Sequence, residues 1–394
     1  MDREEEAWKE LDQSRLKRGV RWVLIVPFLV MVIGVFVADL WNPYGPRDAL
    51  RVFSERSRPL QPEANFLERG WAWNRENLAD IESFENQTAE ESLLRETVSS
   101  YQWFFVEVLK TSGTGRVMIG RDHWYFLKEA LETSMALGAE ESLAEADAAV
   151  RRLAGVLRAR GIELVLVPVP GKPDLLPSKF SRRFEDGESL PPEPKRERVY
   201  QNWAALPGVT VIPVRRILSE TSGEIFLERD THWTPEAMMV VAQEIAIASG
   251  RVARDEKERS VARMTTGSGD LVEMMQLPDG TVPRQSIETF PAPAREKEAA
   301  NAEIFFLGDS FAAIYSDSVL GWGEGAGLMD WLPVLAGEEI DFRLNYGDPV
   351  EGPGGQLQRL LRSEEESSMP RVVVWQFAER FLDESDWSLL FRSN

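Results

Sequence analysis

One serine and one histidine in this chain stand where acyl chemistry could join them. Ser310 lies in Gly308-Asp309-Ser310-Phe311, directly after the apolar run Ile304-Phe305-Phe306-Leu307. Four apolar residues followed by Gly-Asp-Ser predict a buried strand that turns sharply at its end. Such a turn lifts a hydroxyl clear of the sheet, within reach of a substrate carbonyl. A serine hydroxyl is a weak nucleophile until a base takes its proton. The chain holds two histidines, His123 and His232. His232 lies in Asp230-Thr231-His232-Trp233, where the acid two residues earlier can orient the imidazole. These residues predict a Ser310–His232–Asp230 triad. Ser310 attacks an ester carbonyl, and His232 takes its proton and later returns one to the leaving group. Asp230 holds the tautomer and stabilises the imidazolium. The Ser310 backbone N–H is a natural oxyanion donor, with Asn345 or the Gly347 backbone as candidates for another. His123, beside Asp122, is the rival base. Its place in a predicted hairpin turn, followed by Trp-Tyr-Phe, favours a structural or surface role.

These groups need a scaffold, and the hydrophobic pattern supplies one. Arg116 to Leu127 reads as two short strands around Gly120-Arg121-Asp122. Leu143, Ala146, Val150, Leu153 and Leu157 alternate at spacings of three and four, the stripe of an amphipathic helix ended by Gly161. Ile162 to Val169 is apolar apart from Glu163, as a strand buried on both faces requires. Helix, glycine and buried strand form the unit of an α/β sheet. Pro170-Gly171-Lys172-Pro173 closes that strand at the edge where open α/β sheets bind ligands, which makes Lys172 a substrate-binding candidate beside Asn345. Lys195 to Ala205 reads as a helix, and Val209 to Val214 and Arg371 to Gln376 as further buried strands. Thr234-Pro235-Glu236 is a helix start, with Thr as N-cap and Pro first inside, and the helix runs to Ser249. Residues 251–300 are polar, with two proline-containing stretches, and predict an excursion with little regular structure. Ile340 to Leu344 reads as a strand followed by a turn at Asn345-Tyr346-Gly347, and Gln356 to Arg362 as a helix.

The chain has 394 residues, 43% of them hydrophobic, and no cysteine. It therefore has no disulfide framework and no thiolate metal site, and two histidines argue against a histidine-rich metal centre. No cofactor is called for. Trp22 to Ala38 contains no charge and reaches roughly 25 Å as a helix, the short end of a membrane span. Arg15, Lys17, Arg18 and Arg21 crowd its N-terminal side, which keeps residues 1–21 in the cytoplasm and exports the rest. A cleaved signal peptide is the competing reading, disfavoured because the run is long and no clear small-x-small site follows. Residues 39–115 read as a linker with Asn-Pro, Gly-Pro and Arg-Pro steps and then a helix over 89–109. The net charge is −20, and residues 1–21 balance to zero, so the whole excess lies in the exported part. That disfavours nucleic acid as a partner.

At the residues just named the chain resembles the alginate O-acetyltransferases of the AlgJ/AlgX type, which have an SGNH-hydrolase-like fold. Gly308-Asp309-Ser310-Phe311 and Asp230-Thr231-His232-Trp233 look like the paired motifs of that type. Most SGNH hydrolases carry the serine early and the Asp/His late. Here the order is reversed, as in the AlgJ/AlgX type. Val117 to Phe126, Val167 to Lys172, Gly269-Asp270-Leu271 and Trp375 to Arg380 are also similar, so the likeness covers roughly residues 80–390. It departs at His123, where glycine is expected. The resemblance implies that Ser310, His232 and Asp230 carry acetyl transfer to an exopolysaccharide outside the cytoplasmic membrane. It also implies a membrane-bound O-acyltransferase partner that supplies acetyl groups across the bilayer.

The reading is thus an α/β, SGNH-hydrolase-like domain over residues 116–394, with a mostly parallel sheet flanked by helices. A transmembrane anchor at 22–38 and the linker-and-helix segment precede it, and the catalytic domain is periplasmic. A carbohydrate acetylesterase with the same triad is the nearest alternative. A non-catalytic polysaccharide-binding or scaffold subunit is the other.

Overall fold

The computed structural model of the chain describes residues 115–135, 140–251, 260–277, 280–294, 302–348 and 369–391, with 350 and 357. The anchor at 22–38, the helix over 89–109 and, apart from residue 357, the helix over 356–362 lie outside the described residues. Among the described residues no helix is long and apolar enough to cross a membrane.

The apolar runs become the central strands of a sheet, as their composition requires. Among the described residues, β3 (Glu163–Val169), β4 (Val209–Val211), β7 (Ile304–Gly308), β8 (Ile340–Leu344) and β9 (Val372–Ala378) form a five-stranded sheet in the order β4-β3-β9-β7-β8. Every pairing in it is parallel. Side chains alternate across a strand, so each run feeds two cores. Val165, Val167, Ile304, Phe306, Val372 and Val374 pack on one face with the helix Pro235–Ala248 and the helix Leu328–Ala336. Leu164, Leu166, Phe305, Leu307, Val373, Trp375 and Phe377 pack on the other with Ala146, Val150, Leu153 and Leu157 of the helix Glu140–Arg158. Helices therefore cover both faces, which is why the three middle strands carry almost no polar residue.

Two antiparallel ribbons flank this sheet. β1 (Val117–Ile119) pairs with β2 (Tyr125–Leu127) around the predicted turn. β5 (Arg263–Gly267) pairs with β6 (Gln285–Thr289) inside the stretch expected to have little regular structure. A short helix, Asp270–Met274, lies between those two strands. The β5–β6 ribbon escaped sequence reading because its residues are mostly exposed or half-buried, so no apolar alternation marks them. A second correction concerns Val209 to Val214. β4 ends at Val211, and Pro213 and Val214 open the helix Val214–Glu220 instead.

Candidate active site

Gly308, the last residue of β7, lies at the C-terminal edge of the sheet, and the chain turns there through Asp309 into the single helical turn Ser310–Ala313. Gly308 is required by space: a Cβ there would stand 2.8 Å from the Phe306 ring and 2.9 Å from Gln376 Oε1. Asp309 is fully buried and ties the turn to β9. Its Oδ1 accepts from Phe311 N–H (2.9 Å) and Gln376 Nε2 (2.8 Å), and its Oδ2 from Ala378 N–H (2.7 Å). Its own N–H donates back to Gln376 Oε1 at 3.2 Å. Ser310 thus sits on an elbow whose neighbour is held at every polar atom. Its backbone N–H heads a helical turn, where no intrahelical acceptor exists.

His232 arrives on a tight loop. Leu227 N–H donates to His232 O (3.0 Å) and Thr234 N–H to Ile225 O (3.1 Å), closing a small antiparallel bridge around Phe226 and Trp233. Thr234 then caps the helix Pro235–Ala248, accepting from Ala237 N–H at 3.3 Å, as its sequence predicts. Phe311 packs against the imidazole with ring centroids 4.8 Å apart, and Trp233 packs against Phe311 at 5.1 Å. The loop and the elbow therefore meet through an aromatic stack as well as through polar atoms.

The three predicted residues are brought together. His232 Nδ1 lies 2.5 Å from Asp230 Oδ1, and His232 Nε2 lies 2.8 Å from Ser310 Oγ. A carboxylate accepts only, so Nδ1 carries the proton and Nε2 accepts from the Ser310 hydroxyl. Asp230 is 1% exposed, His232 4% and Ser310 7%, so these bonds run in a shielded medium. The arrangement can deprotonate a serine as it attacks a carbonyl.

Burial alone would push Asp230 up. The charge of His232 and hydrogen bonds from His232, Trp322 and the Asp270 N–H outweigh it and hold the carboxyl well below its ordinary range. Burial likewise works against charging His232, but the charge and hydrogen bond of Asp230, with Asp270 and Asp309 behind, raise its pKa above the ordinary imidazole value. The imidazolium, the state formed when serine gives up its proton, is thereby made easier to reach beside an ionised Asp230.

Two residues that complete Asp230 were not assigned from sequence. Trp322 Nε1 donates to Asp230 Oδ2 at 2.8 Å, and Asp270 N–H donates to the same oxygen at 3.0 Å. Asp270 has a sequence signal only through Gly269-Asp270-Leu271, and Trp322 has none among the motifs named above. Asp270 Oδ1 accepts from Thr231 N–H (2.8 Å) and Oδ2 from Thr231 Oγ1 (2.5 Å). Asp230, His232 and Asp270 cluster closely enough to suggest a cation site. All four of their carboxylate oxygens already accept protein hydrogen bonds, so the donor set is built for protons rather than a metal.

The remaining candidates fall elsewhere. Lys172 is 4% exposed, and its ammonium donates to Tyr125 O (2.8 Å) and Glu228 O (3.2 Å) beneath the Asp230 loop. Its expected substrate contact is replaced by an internal one, and burial pulls its pKa down to about 7 against the charges of Asp230, Asp270 and Glu228. Asn345 follows β8 next to the elbow, its N–H donating to Gly308 O at 3.0 Å. Its side chain accepts from Gly347 N–H at 3.1 Å, which closes the predicted turn. His123 is exposed in the β1–β2 turn at φ 63°, a left-handed geometry that suits the glycine expected there.

The family model described as "SGNH hydrolase-like domain, acetyltransferase AlgX" matches residues 117–379, two thirds of the chain. Among known proteins the chain is similar to a "Probable alginate O-acetylase AlgJ" of Azotobacter vinelandii, 27% identical over 296 residues, or 68% of this chain and 71% of that protein. Its likeness to the protein of the same name from Pseudomonas aeruginosa is 27% identity over 304 residues, again 68% and 71%. The solved O-acetyltransferase domain of Pseudomonas putida AlgJ aligns with a TM-score of 0.46 at 21% identity, over 71% of this chain and 94% of that one. From the match over residues 117–379, the chain belongs to the SGNH hydrolase-like acetyltransferase family of the AlgX type.

Proposed function

We propose that this chain is a serine-dependent O-acetyltransferase that moves acetyl groups onto hydroxyls of an extracytoplasmic polysaccharide. The observation that carries the reading is the unbroken hydrogen-bond line from Asp230 through His232 to Ser310, at 2.5 and 2.8 Å. Ser310 Oγ attacks the acetyl carbonyl of a donor ester while His232 Nε2 takes its proton. The oxyanion forms against the Ser310 N–H. Collapse expels the donor alkoxide, which takes the proton from His232 and leaves acetyl-Ser310. A sugar hydroxyl then gives its proton to His232 and attacks the acetyl carbon. The O-acetyl sugar departs, and Ser310 recovers the proton. Asn345, one residue past β8, belongs to the substrate side of this reading.

In the same reading residues 22–38 hold the chain in the cytoplasmic membrane with its catalytic domain in the periplasm. A membrane-bound O-acyltransferase supplies the acetyl groups. Alginate, the polymer in the names of the relatives, is the first acceptor to try.

The test incubates the detergent-solubilised full chain with p-nitrophenyl acetate and oligomannuronate and reads the products by mass spectrometry. Acetylated oligosaccharide that disappears with Ser310→Ala supports the proposal. Acetate without acetylated sugar makes the chain an acetylesterase. Equal sugar acetylation by a folded Ser310→Ala protein removes the triad altogether.

A further inference from the structure

Asp270 is a carboxylate that acyl transfer by a three-residue triad does not require. It comes from a different segment, 40 residues beyond Asp230. Yet it contacts the triad loop at three points. Its N–H holds Asp230 Oδ2, its Oδ1 holds the Thr231 N–H and its Oδ2 holds the Thr231 hydroxyl. The same Oδ2 lies 3.9 Å from His232 Nδ1. The backbone is shaped to allow this approach. Gly269 adopts φ 92°, and a Cβ there would stand 2.3 Å from Arg229 O, so no other residue fits without moving the loop.

We propose that Asp270 is a positioning residue of this site, fixing the Asp230-Thr231-His232 loop and setting the charge balance around the imidazole. The inference rests on the serine-chemistry reading. Thr231 lies between Asp230 and His232, so clamping its N–H and hydroxyl fixes the direction in which both neighbours point. A second carboxylate beside His232 Nδ1 also favours the imidazolium.

The charges that face His232 come from every side. Asp230 is on its own loop, Asp270 on the helix Asp270–Met274, and Asp309 on the elbow. Lys172, after β3, opposes the acids, and Glu228 and Glu273 act on Lys172 and Asp230 from further off. Asp270 keeps 26% of its side-chain surface accessible, which distinguishes it from the sealed Asp230 at 1%. Burial and the charge of Asp230 push its pKa up to about 6, against His232 and the Thr231 bonds. Asp270 therefore changes charge near neutrality, while Asp230 stays ionised.

The chain's two histidines make the test direct, because His123→Gly leaves His232 as the only imidazole. In that background, NMR of labelled histidine follows the His232 titration in the full chain. Asp270→Asn keeps the shape and removes the charge, so the His232 pKa moves down. The acid limb of kcat/KM for p-nitrophenyl acetate moves to lower pH with it, and its plateau falls about 10- to 100-fold. Thr231→Val keeps Asp270 but removes one hydroxyl bond to it, together with the 3.3 Å contact of that hydroxyl with His232 Nδ1. It moves the titration in the same direction by less, and it decides the matter if Asp270→Asn does not fold. A folded variant pair that leaves the His232 titration where it was overturns the inference, whatever happens to the plateau. A shifted titration in a protein without acetyl transfer keeps the inference and removes the proposed function.

Discussion

Two buried charge clusters sit at the same edge of the sheet, and only one is arranged for chemistry. The first is Asp230, His232 and Ser310 with Asp270. The second surrounds Glu379, just past β9, with Arg196, Arg215, Asp174 and Asp383. By burial the two are alike: Glu379 is 3% exposed and Arg196 5%. By titration they are also alike. Burial and the charge of Asp174, only partly offset by Arg215 and Arg196, push Glu379 up to about 7. The second cluster even borders a cavity of about 580 Å³ lined by Arg196, Tyr200, Arg215 and Glu379. Geometry separates them. Glu379 lies 3.8 Å from Arg196 and 3.7 Å from Arg215, beyond hydrogen-bond length, and no histidine lines the cavity. Arg215 is fastened to Asp174 at 2.8 Å and Arg196 to Asp383 at 3.2 Å, which joins distant segments. Shifted titration marks a stressed framework as readily as an active site. A reacting group needs an in-line donor–acceptor chain that ends on it.

The two clusters part most widely at Ser310. Ser310→Ala lowers acetyl transfer by about 10³-fold or more, whereas Glu379→Gln leaves the rate of the folded protein unchanged. Equal losses would place both clusters in the chemistry. Trp322→Phe comes next. It removes the 2.8 Å bond to Asp230 Oδ2 while the Asp270 N–H remains, and kcat/KM falls about tenfold with no change in product.

Glu379 has its own signature in stability. Its folded pKa is raised above the ordinary 4.5, so between about 4.5 and about 7 the folded chain binds a proton that the unfolded chain has released. Stability from this group is therefore present at low pH and lost as pH rises through that window, by up to about 3 kcal/mol in all. Urea unfolding across the window shows that slope in the wild type and a shallower one in Glu379→Gln. An unchanged slope would mean that Glu379 titrates normally. The smallest effect belongs to His123→Gly. Glycine relieves φ 63° but loosens the unfolded chain, so stability rises by less than about 1 kcal/mol and acetyl transfer is unaffected. A larger loss of activity than in His232→Ala would reverse the choice of base.

Much of this was legible because the signals are local. β3, β7 and β9 are short apolar runs between breakers, and the cap at Thr234-Pro235 needs only neighbours in the chain. Ser310, His232 and Asp230 were legible as candidate site residues for a related reason. Each sits at a turn next to a strand or helix that its own sequence announces. The β5–β6 ribbon was not legible, because polar, half-exposed strands stabilise one another across about twenty residues and leave no periodicity. Lys172 is a substrate-side candidate by pattern because it follows a buried strand at the edge where open α/β sheets bind ligands. Two backbone carbonyls from segments 47 and 56 residues away turned it inward.

Residue pattern alone predicts an α/β domain with Ser310 at a strand end and Asp230-Thr231-His232 before a capped helix. These are matters of pattern, where each residue acts on neighbours a few positions away. Packing across the fold is what sets Ser310 and His232, 78 residues apart, 2.8 Å from each other. It alone brought Asp270 and Trp322 onto Asp230. Such meetings depend on how layers pack across the sheet. Hydrogen bonds that hold only within a few tenths of an ångström record that packing, and no local pattern in the chain encodes it.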